Sequence, residues 1–238
     1  MDPTTDVLSC TDGRLADADH AAGVRLLADF ECAVNSGPIS EAGAVFDAAK
    51  DSPFTVRDSY LFMDASSLPS LFLFAVQCLL RHPNDHDSTH TDLLTKAVLL
   101  INAGHGSAWN RRKQMLAQCR RVAPPSLTLS CERAKGELEF LDVVIRKAPK
   151  VSEVWAHRRW VLKQCGMLGA QVADTTPWAE SIRQGELAIC STASQRKRNN
   201  YMACTHLQLV IEHAPVAFAR HCLAQWDTLW RRSVGDRP

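Results

Sequence analysis

The sequence holds 238 residues, 46% of them apolar, with a formal charge of +1. That is enough chain to bury a sizeable core, and its near neutrality supplies no general attraction to nucleic acid or anionic membrane. Nine cysteines at irregular spacings, with no Cys-x-x-Cys, predict reduced thiols packed as small hydrophobes in an intracellular, cytoplasmic protein.

Residues 1–20 are small and polar, rich in Asp and Thr, and are expected to be disordered. They contain no basic segment followed by an apolar core, so no secretory signal is expected. Residues 21–238 are expected to form one helical-repeat domain. Its lead-in, residues 21–90, opens with a short amphipathic helix from Gly23 to Asn35, ended by Asn35-Ser36-Gly37-Pro38. Residues 38–60 carry no clear pattern. An apolar stretch from Leu61 to His82 follows, densest from Leu68 to Leu80. With Pro69 and Gln77 inside it, that run is too short to cross a bilayer and predicts a core helix. Pro83 to Thr91 reads as a polar loop.

Beyond the loop the sequence repeats. Taking offsets −1, 0, +3, +6, +7 and +10 from Trp109 gives Ala108, Trp109, Arg112, Met115, Leu116 and Cys119. From Trp155, 46 residues on, the same offsets give Val154, Trp155, Arg158, Val161, Leu162 and Cys165. From Cys204, 49 residues further, they give Ala203, Cys204, Leu207, Val210, Ile211 and Ala214. These spacings form one face of an α-helix. An earlier helix precedes each stripe: Asp92 to Ile101, Glu137 to Lys147, and Pro177 to about Ser191, where Thr176-Pro177 is a start signal. Gly136-Glu137-Leu138 and Gly185-Glu186-Leu187 each stand 19 residues before the stripe's zero position. Each unit is helix, turn, helix, and one pair alone cannot bury its apolar face, so neighbours must stack. The prediction is an all-α fold, an α-α superhelix of stacked helix-pair repeats at about 91–119, 136–165 and 177–214. Pro215 stops the last stripe, and Val216 to Arg232 forms a capping helix with Phe218, Cys222, Gln225, Trp226 and Leu229 down one side.

The charged entries on the stripe, Arg112 and Arg158, are expected to lie inward, paired to a carboxylate or to helix-terminal carbonyls. His157 and His206 share offset +2 and are expected to bridge adjacent helices by hydrogen bonds. A thiol hydrolase built from these histidines with Cys119 or Cys165 is disfavoured, because those cysteines sit on a packing face. His82, His86 and His90 recur every four residues, a metal-ligand spacing on a helix. Pro83-Asn84-Asp85 makes that stretch a solvated connector instead, and no metal site is expected in this chain. There is no phosphate loop of the G-x-x-x-x-G-K-[ST] type. The basic clusters Arg111-Arg112-Lys113, Arg120-Arg121 and Arg196-Lys197-Arg198 have no aromatic platform beside them, which argues against nucleic acid.

Lys150 to Leu162 reads Lys-Val-Ser-Glu-Val-Trp-Ala-His-Arg-Arg-Trp-Val-Leu, and Asn200 to His206 reads Asn-Tyr-Met-Ala-Cys-Thr-His. With Ser107 to Met115 as a third unit, these stretches resemble the repeat of the protein prenyltransferase α-subunit family. The resemblance implies a right-handed superhelix curled around a β subunit that holds zinc and most of the isoprenoid pocket. It implies the non-catalytic α-like subunit of a protein geranylgeranyltransferase, with no cofactor of its own. The substrate would be a protein with a C-terminal cysteine. Lys150 matches the family's lysine before a repeat tryptophan, and Tyr201 the tyrosine of the next repeat, both on the diphosphate side. Met202 stands where the family has histidine, and Ser152 where it has tyrosine. The alternative is a helical-repeat interaction scaffold with no role in prenylation, separable by whether a prenyltransferase β subunit co-purifies. A stand-alone enzyme is disfavoured, since nothing supplies nucleophile, base and oxyanion site together.

Overall fold

A computed structural model describes residues 17–46, 52–81, 88–118, 129–168 and 176–235. Among them the chain runs α1 (Asp17–Asn35), β1 (Glu41–Val45), β2 (Phe54–Arg57), β3 (Tyr60–Asp64), α2 (Leu68–Arg81), α3 (Ser88–Ile101), α4 (Gly106–Gln118), α5 (Cys131–Lys147), α6 (Ser152–Gln164), α7 (Pro177–Arg196), α8 (Tyr201–Glu212) and α9 (Val216–Gly235). Pairs α3–α4, α5–α6 and α7–α8 are the three predicted repeats, stacked as an α-α superhelix.

The predicted stripes lie inward. All six positions of the second repeat are buried, as are the first five of the first; Cys119 falls outside the described residues. In the third, Ala203, Leu207 and Val210 are buried, and Cys204, Ile211 and Ala214 are half-buried. Capping follows the sequence. Thr176 accepts from the Ala179 amide with Pro177 in the first turn, and Asn200 accepts from the Ala203 amide. Gly166, at φ +79°, ends α6 in the left-handed conformation, where the Met167 amide reaches the Leu162 carbonyl at 2.8 Å.

The lead-in departs from the expected helices. A mixed sheet of order β1-β3-β2 occupies part of it, β1 parallel and β2 antiparallel to β3. Leu61 to Asp64 is therefore strand, where one apolar stretch was expected to run to His82. Asp58 and Ser59, at φ 50° and 61°, form the two-residue turn joining β2 to β3. Alternate residues Leu61 and Met63 are fully buried, and Phe30 of α1 meets Phe54 of β2 edge-on at 5.6 Å. Helix α1 starts at Asp17, six residues before the predicted Gly23, and α3 starts at Ser88, within the predicted loop. Gly23 is required by packing, since a Cβ there would lie 2.4 Å from the Phe74 ring. On α9, Phe218 and Cys222 are buried but Gln225 is exposed; the side chains of Trp226 and Leu229 lie outside the described residues.

The sheet is pinned to the repeats by cations at the ends of the first helices. Arg146 donates to the Ser40 carbonyl at 2.9 Å, and Arg196 pairs with Glu41. The same helix ends are laced together. Lys147 donates to the Leu100 carbonyl at 2.5 Å and Arg196 to the Arg146 carbonyl at 3.1 Å, each cation reaching the C-terminal carbonyls of the preceding first helix.

Candidate functional site

The repeats are joined by a buried polar ladder that recurs at successive junctions. Arg112, on the second helix of one repeat, grips Glu137 on the first helix of the next, Nε to Oε1 at 2.6 Å and Nη2 to Oε2 at 2.7 Å. His157, on that next repeat's second helix, donates from Nε2 to the same Oε1 at 2.8 Å. One junction later the arrangement returns. Arg158 meets Glu186 at 2.8 and 2.7 Å, and His206 meets Glu186 at 2.6 Å. The remaining guanidinium nitrogens are used as well. Arg112 Nη1 reaches Asp92 at 2.7 Å and Thr95 at 3.0 Å, and Arg158 Nη1 reaches Asp142 at 2.7 Å. Planar bidentate pairing of this kind makes a buried arginine tolerable, because every nitrogen of the fork finds an acceptor.

Indoles line the same seam. Trp109 donates from Nε1 to the Ala103 carbonyl and Trp155 to the Pro149 carbonyl, each six residues back in its own inter-helix turn. The Trp109 ring lies 4.7 Å from His157 and Trp155 lies 5.1 Å from His206, so each of these two tryptophans packs at a tilt against the histidine of the following repeat. Burial disfavours charge on both imidazoles and lowers their pKa values. Burial also opposes ionisation of Glu137 and Glu186, but the arginines and histidines around them prevail and hold both carboxyls at about 2. The ladder is thus a carboxylate between a permanent cation and a neutral imidazole donor. The inward arginines and bridging histidines are where the sequence predicted them.

Lys150 and Tyr201 sit outside this core. Lys150 is exposed in the turn between α5 and α6, and Tyr201, the first residue of α8, is 74% exposed. Their backbones are tied together through buried Asn200, whose Nδ2 donates to the Pro149 carbonyl at 2.9 Å. The residue before Tyr201 therefore grips the residue before Lys150. Lys197 and Arg198 are exposed just ahead of them, making this end of the neighbouring hairpins basic. The sequence reading missed the tether; its only trace was an asparagine at a cap position.

Other candidates are placed as follows. Cys165 is buried, its thiol pKa pushed up to about 11 by burial, and it donates to the Leu162 carbonyl, which removes it as a nucleophile. His90 is on α3, while His82 and His86 lie outside the described residues. Among the described residues no group of three His, Cys, Asp or Glu side chains could hold a metal. Arg111 and Arg112 are buried, so the first basic cluster is not a nucleic-acid face; Arg120 and Arg121 lie outside the described residues. No described helix is long and apolar enough to cross a membrane.

Residues 134–165, which hold most of α5, the Lys150 turn and α6, match the family model described as the protein prenyltransferase alpha subunit repeat. The chain is 32% identical over 133 residues to the protein prenyltransferase alpha subunit repeat-containing protein 1 of Danio rerio, covering 50% of this chain and 28% of the relative. With the human protein of the same description it shares 31% over 132 residues, covering 50% and 29%. With the geranylgeranyl transferase type-2 subunit alpha of Mus musculus it shares 28% over 143 residues, covering 60% and 22%. The chain thus spans less than a third of the length of these curated relatives. The ladder's repeated arginine and histidine thus lie in and beside a segment similar to the protein prenyltransferase alpha subunit repeat, and the chain is similar to proteins that carry that repeat.

Proposed function

We propose that this chain acts as the non-catalytic, α-like subunit of a cytoplasmic protein geranylgeranyltransferase, paired with a zinc-bearing β subunit. The observation that supports the reading is the hydrogen bond from Asn200 to the Pro149 carbonyl, which ties the backbone before Tyr201 to the backbone before Lys150, within a segment similar to the prenyltransferase alpha subunit repeat at Lys150. The likeness to geranylgeranyl transferase type-2 alpha subunits supports the isoprenoid class. In the reaction, the thiolate of a C-terminal cysteine on the substrate protein forms a C–S bond to the isoprenoid. The C–O bond to diphosphate breaks, and diphosphate leaves with the negative charge. Zinc, when held by the partner, would lower the pKa of that thiol and so favour the thiolate. Lys150 would place an ammonium, and Tyr201 a hydroxyl, beside the oxygens on which charge accumulates. In this reading the bonds at the reacting carbon and sulfur are made and broken on the partner and the substrates, which makes the role of this chain non-catalytic.

Lys150→Ala in the reconstituted pair tests this assignment. Turnover of a geranylgeranyl diphosphate donor is expected to fall by about tenfold or more, with subunit assembly unchanged because Lys150 is exposed. Unchanged turnover would remove the lysine from the mechanism. A second reading, an interaction scaffold with no part in prenylation, is favoured by one feature. The third repeat carries Cys204 in place of tryptophan, and Met202 and Ser152 stand at two family positions. An assembled wild-type pair with no transfer activity is the outcome that selects it.

A further inference from the structure

The Pro149 carbonyl accepts twice: from Trp155 Nε1 of its own repeat at 2.9 Å, and from Asn200 Nδ2 of the next repeat at 2.9 Å. The indole alone satisfies that buried carbonyl, so the second bond is not needed to offset its burial and serves to join two turns. In the first repeat the Ala103 carbonyl accepts from Trp109 Nε1 at 2.8 Å. There the residue placed like Asn200 on the next repeat, four before Trp155, is Val151, whose side chain cannot donate. Of these two turns, only the one carrying Lys150 is held from both sides.

Asn200 is 2% exposed, and both polar atoms of its side chain are used. Oδ1 caps α8 by accepting from the Ala203 amide at 3.2 Å, and Nδ2 also reaches the Ala193 carbonyl, near the end of α7, at 3.3 Å. One side chain thus joins α7, the start of α8 and the peptide group that leads into Lys150. Resting on the role proposed above for Lys150, we propose that Asn200 is a positioning residue for the transfer reaction. It acts through Lys150, fixing the backbone from which the ammonium reaches the departing diphosphate, and touches no reactant itself. A lysine whose backbone is held before the substrate arrives loses less freedom on reaching the transition state, so the tether bears on kcat more than on KM.

Asn200→Ser separates the tether from the cap. Serine caps a helix as well as asparagine does, but its side chain is one atom too short to span to Pro149. Neither carbonyl is orphaned, since Pro149 keeps Trp155 and Ala193 keeps the Lys197 amide at 3.2 Å, so the variant is expected to fold. In the reconstituted pair, Asn200→Ser is expected to lower kcat about fivefold or more, with KM for the protein substrate unchanged. In a Lys150→Ala background the same change is expected to matter by less than about twofold, because the group it positions is gone. On the full chain alone, amide exchange by NMR is expected to quicken at Val151, which bonds to the Ala148 carbonyl in the Lys150 turn, and not at Ala203. Equal losses of kcat with and without Lys150 would overturn the proposal while leaving the role of Lys150 standing. So would wild-type kcat in Asn200→Ser, unchanged exchange at Val151, or equal quickening at Ala203, which would make the cap its role. Wild-type turnover of Lys150→Ala would instead remove the role of Lys150, and the positioning role with it.

Discussion

Glu186→Ala is expected to destabilise the protein by about 3–5 kcal/mol in urea unfolding, because it strands a buried guanidinium and a buried imidazole N–H together. Arg158 keeps Asp142, and the Leu138 carbonyl at 3.4 Å, but loses its bidentate partner; His206 loses the carboxylate that accepts from Nε2. A loss of that size is a large share of the roughly 5–15 kcal/mol that holds a domain folded. Exposed Glu153→Ala is the control and should change little. The acid limb of the stability curve carries the same signature. Glu186 ionises at about 2 in the fold against 4.5 as reference, so its contribution is complete above 4.5 and is lost as pH falls toward 2. His206 has a lowered pKa, so the unfolded chain takes up a proton first, and stability also declines as pH falls below 6.5. Removing Glu186 should flatten the stability profile between pH 4.5 and 2. A variant within about 1 kcal/mol of wild type, with an unchanged acid profile, would mean that the ladder does not hold the repeats together.

Trp155→Ala is the second large effect, also about 3–5 kcal/mol, through a cavity that rigid helices cannot close. The indole has no exposed surface, packs at a tilt against His206 and donates to the Pro149 carbonyl. Trp155→Phe separates these contributions. It keeps most of the volume and loses the hydrogen bond, with an expected cost of about 1–2 kcal/mol. Since Pro149 also anchors Asn200, the alanine variant loosens the turn that presents Lys150, linking core packing to the exposed residue. Trp155 and Glu186 share His206 as a neighbour, so their effects should not add in the double variant. Wild-type melting of Trp155→Ala would contradict the packing account.

Much of the repeat region was legible because its signals are local and periodic. Apolar residues recur at helical offsets, and Thr176-Pro177 and Pro215 mark helix ends. The ladder was half legible. Arg112 and Arg158 required a buried acceptor, and Gly-Glu-Leu recurred 19 residues before each of two stripes, yet nothing local joined the two facts. Each glutamate lies 25 or 28 residues from its arginine, on another repeat, and only stacking brings them together. The sheet was hidden for different reasons. Its strands are five, four and five residues long, and the Asp58-Ser59 turn lacks the glycine that advertises a tight hairpin. The apolar run of β3 also leads almost directly into α2, so two elements read as one. Lys150 and Tyr201 were found through resemblance alone, since an exposed lysine and tyrosine have no periodicity to betray them.

The most direct test of the proposed function is co-expression of this chain with a protein prenyltransferase β subunit, followed by size-exclusion chromatography with light scattering. The account predicts a stable one-to-one complex that transfers a geranylgeranyl group to a protein cysteine. Recovery of this chain apart from the β subunit, folded and unbound at micromolar concentration, would contradict it.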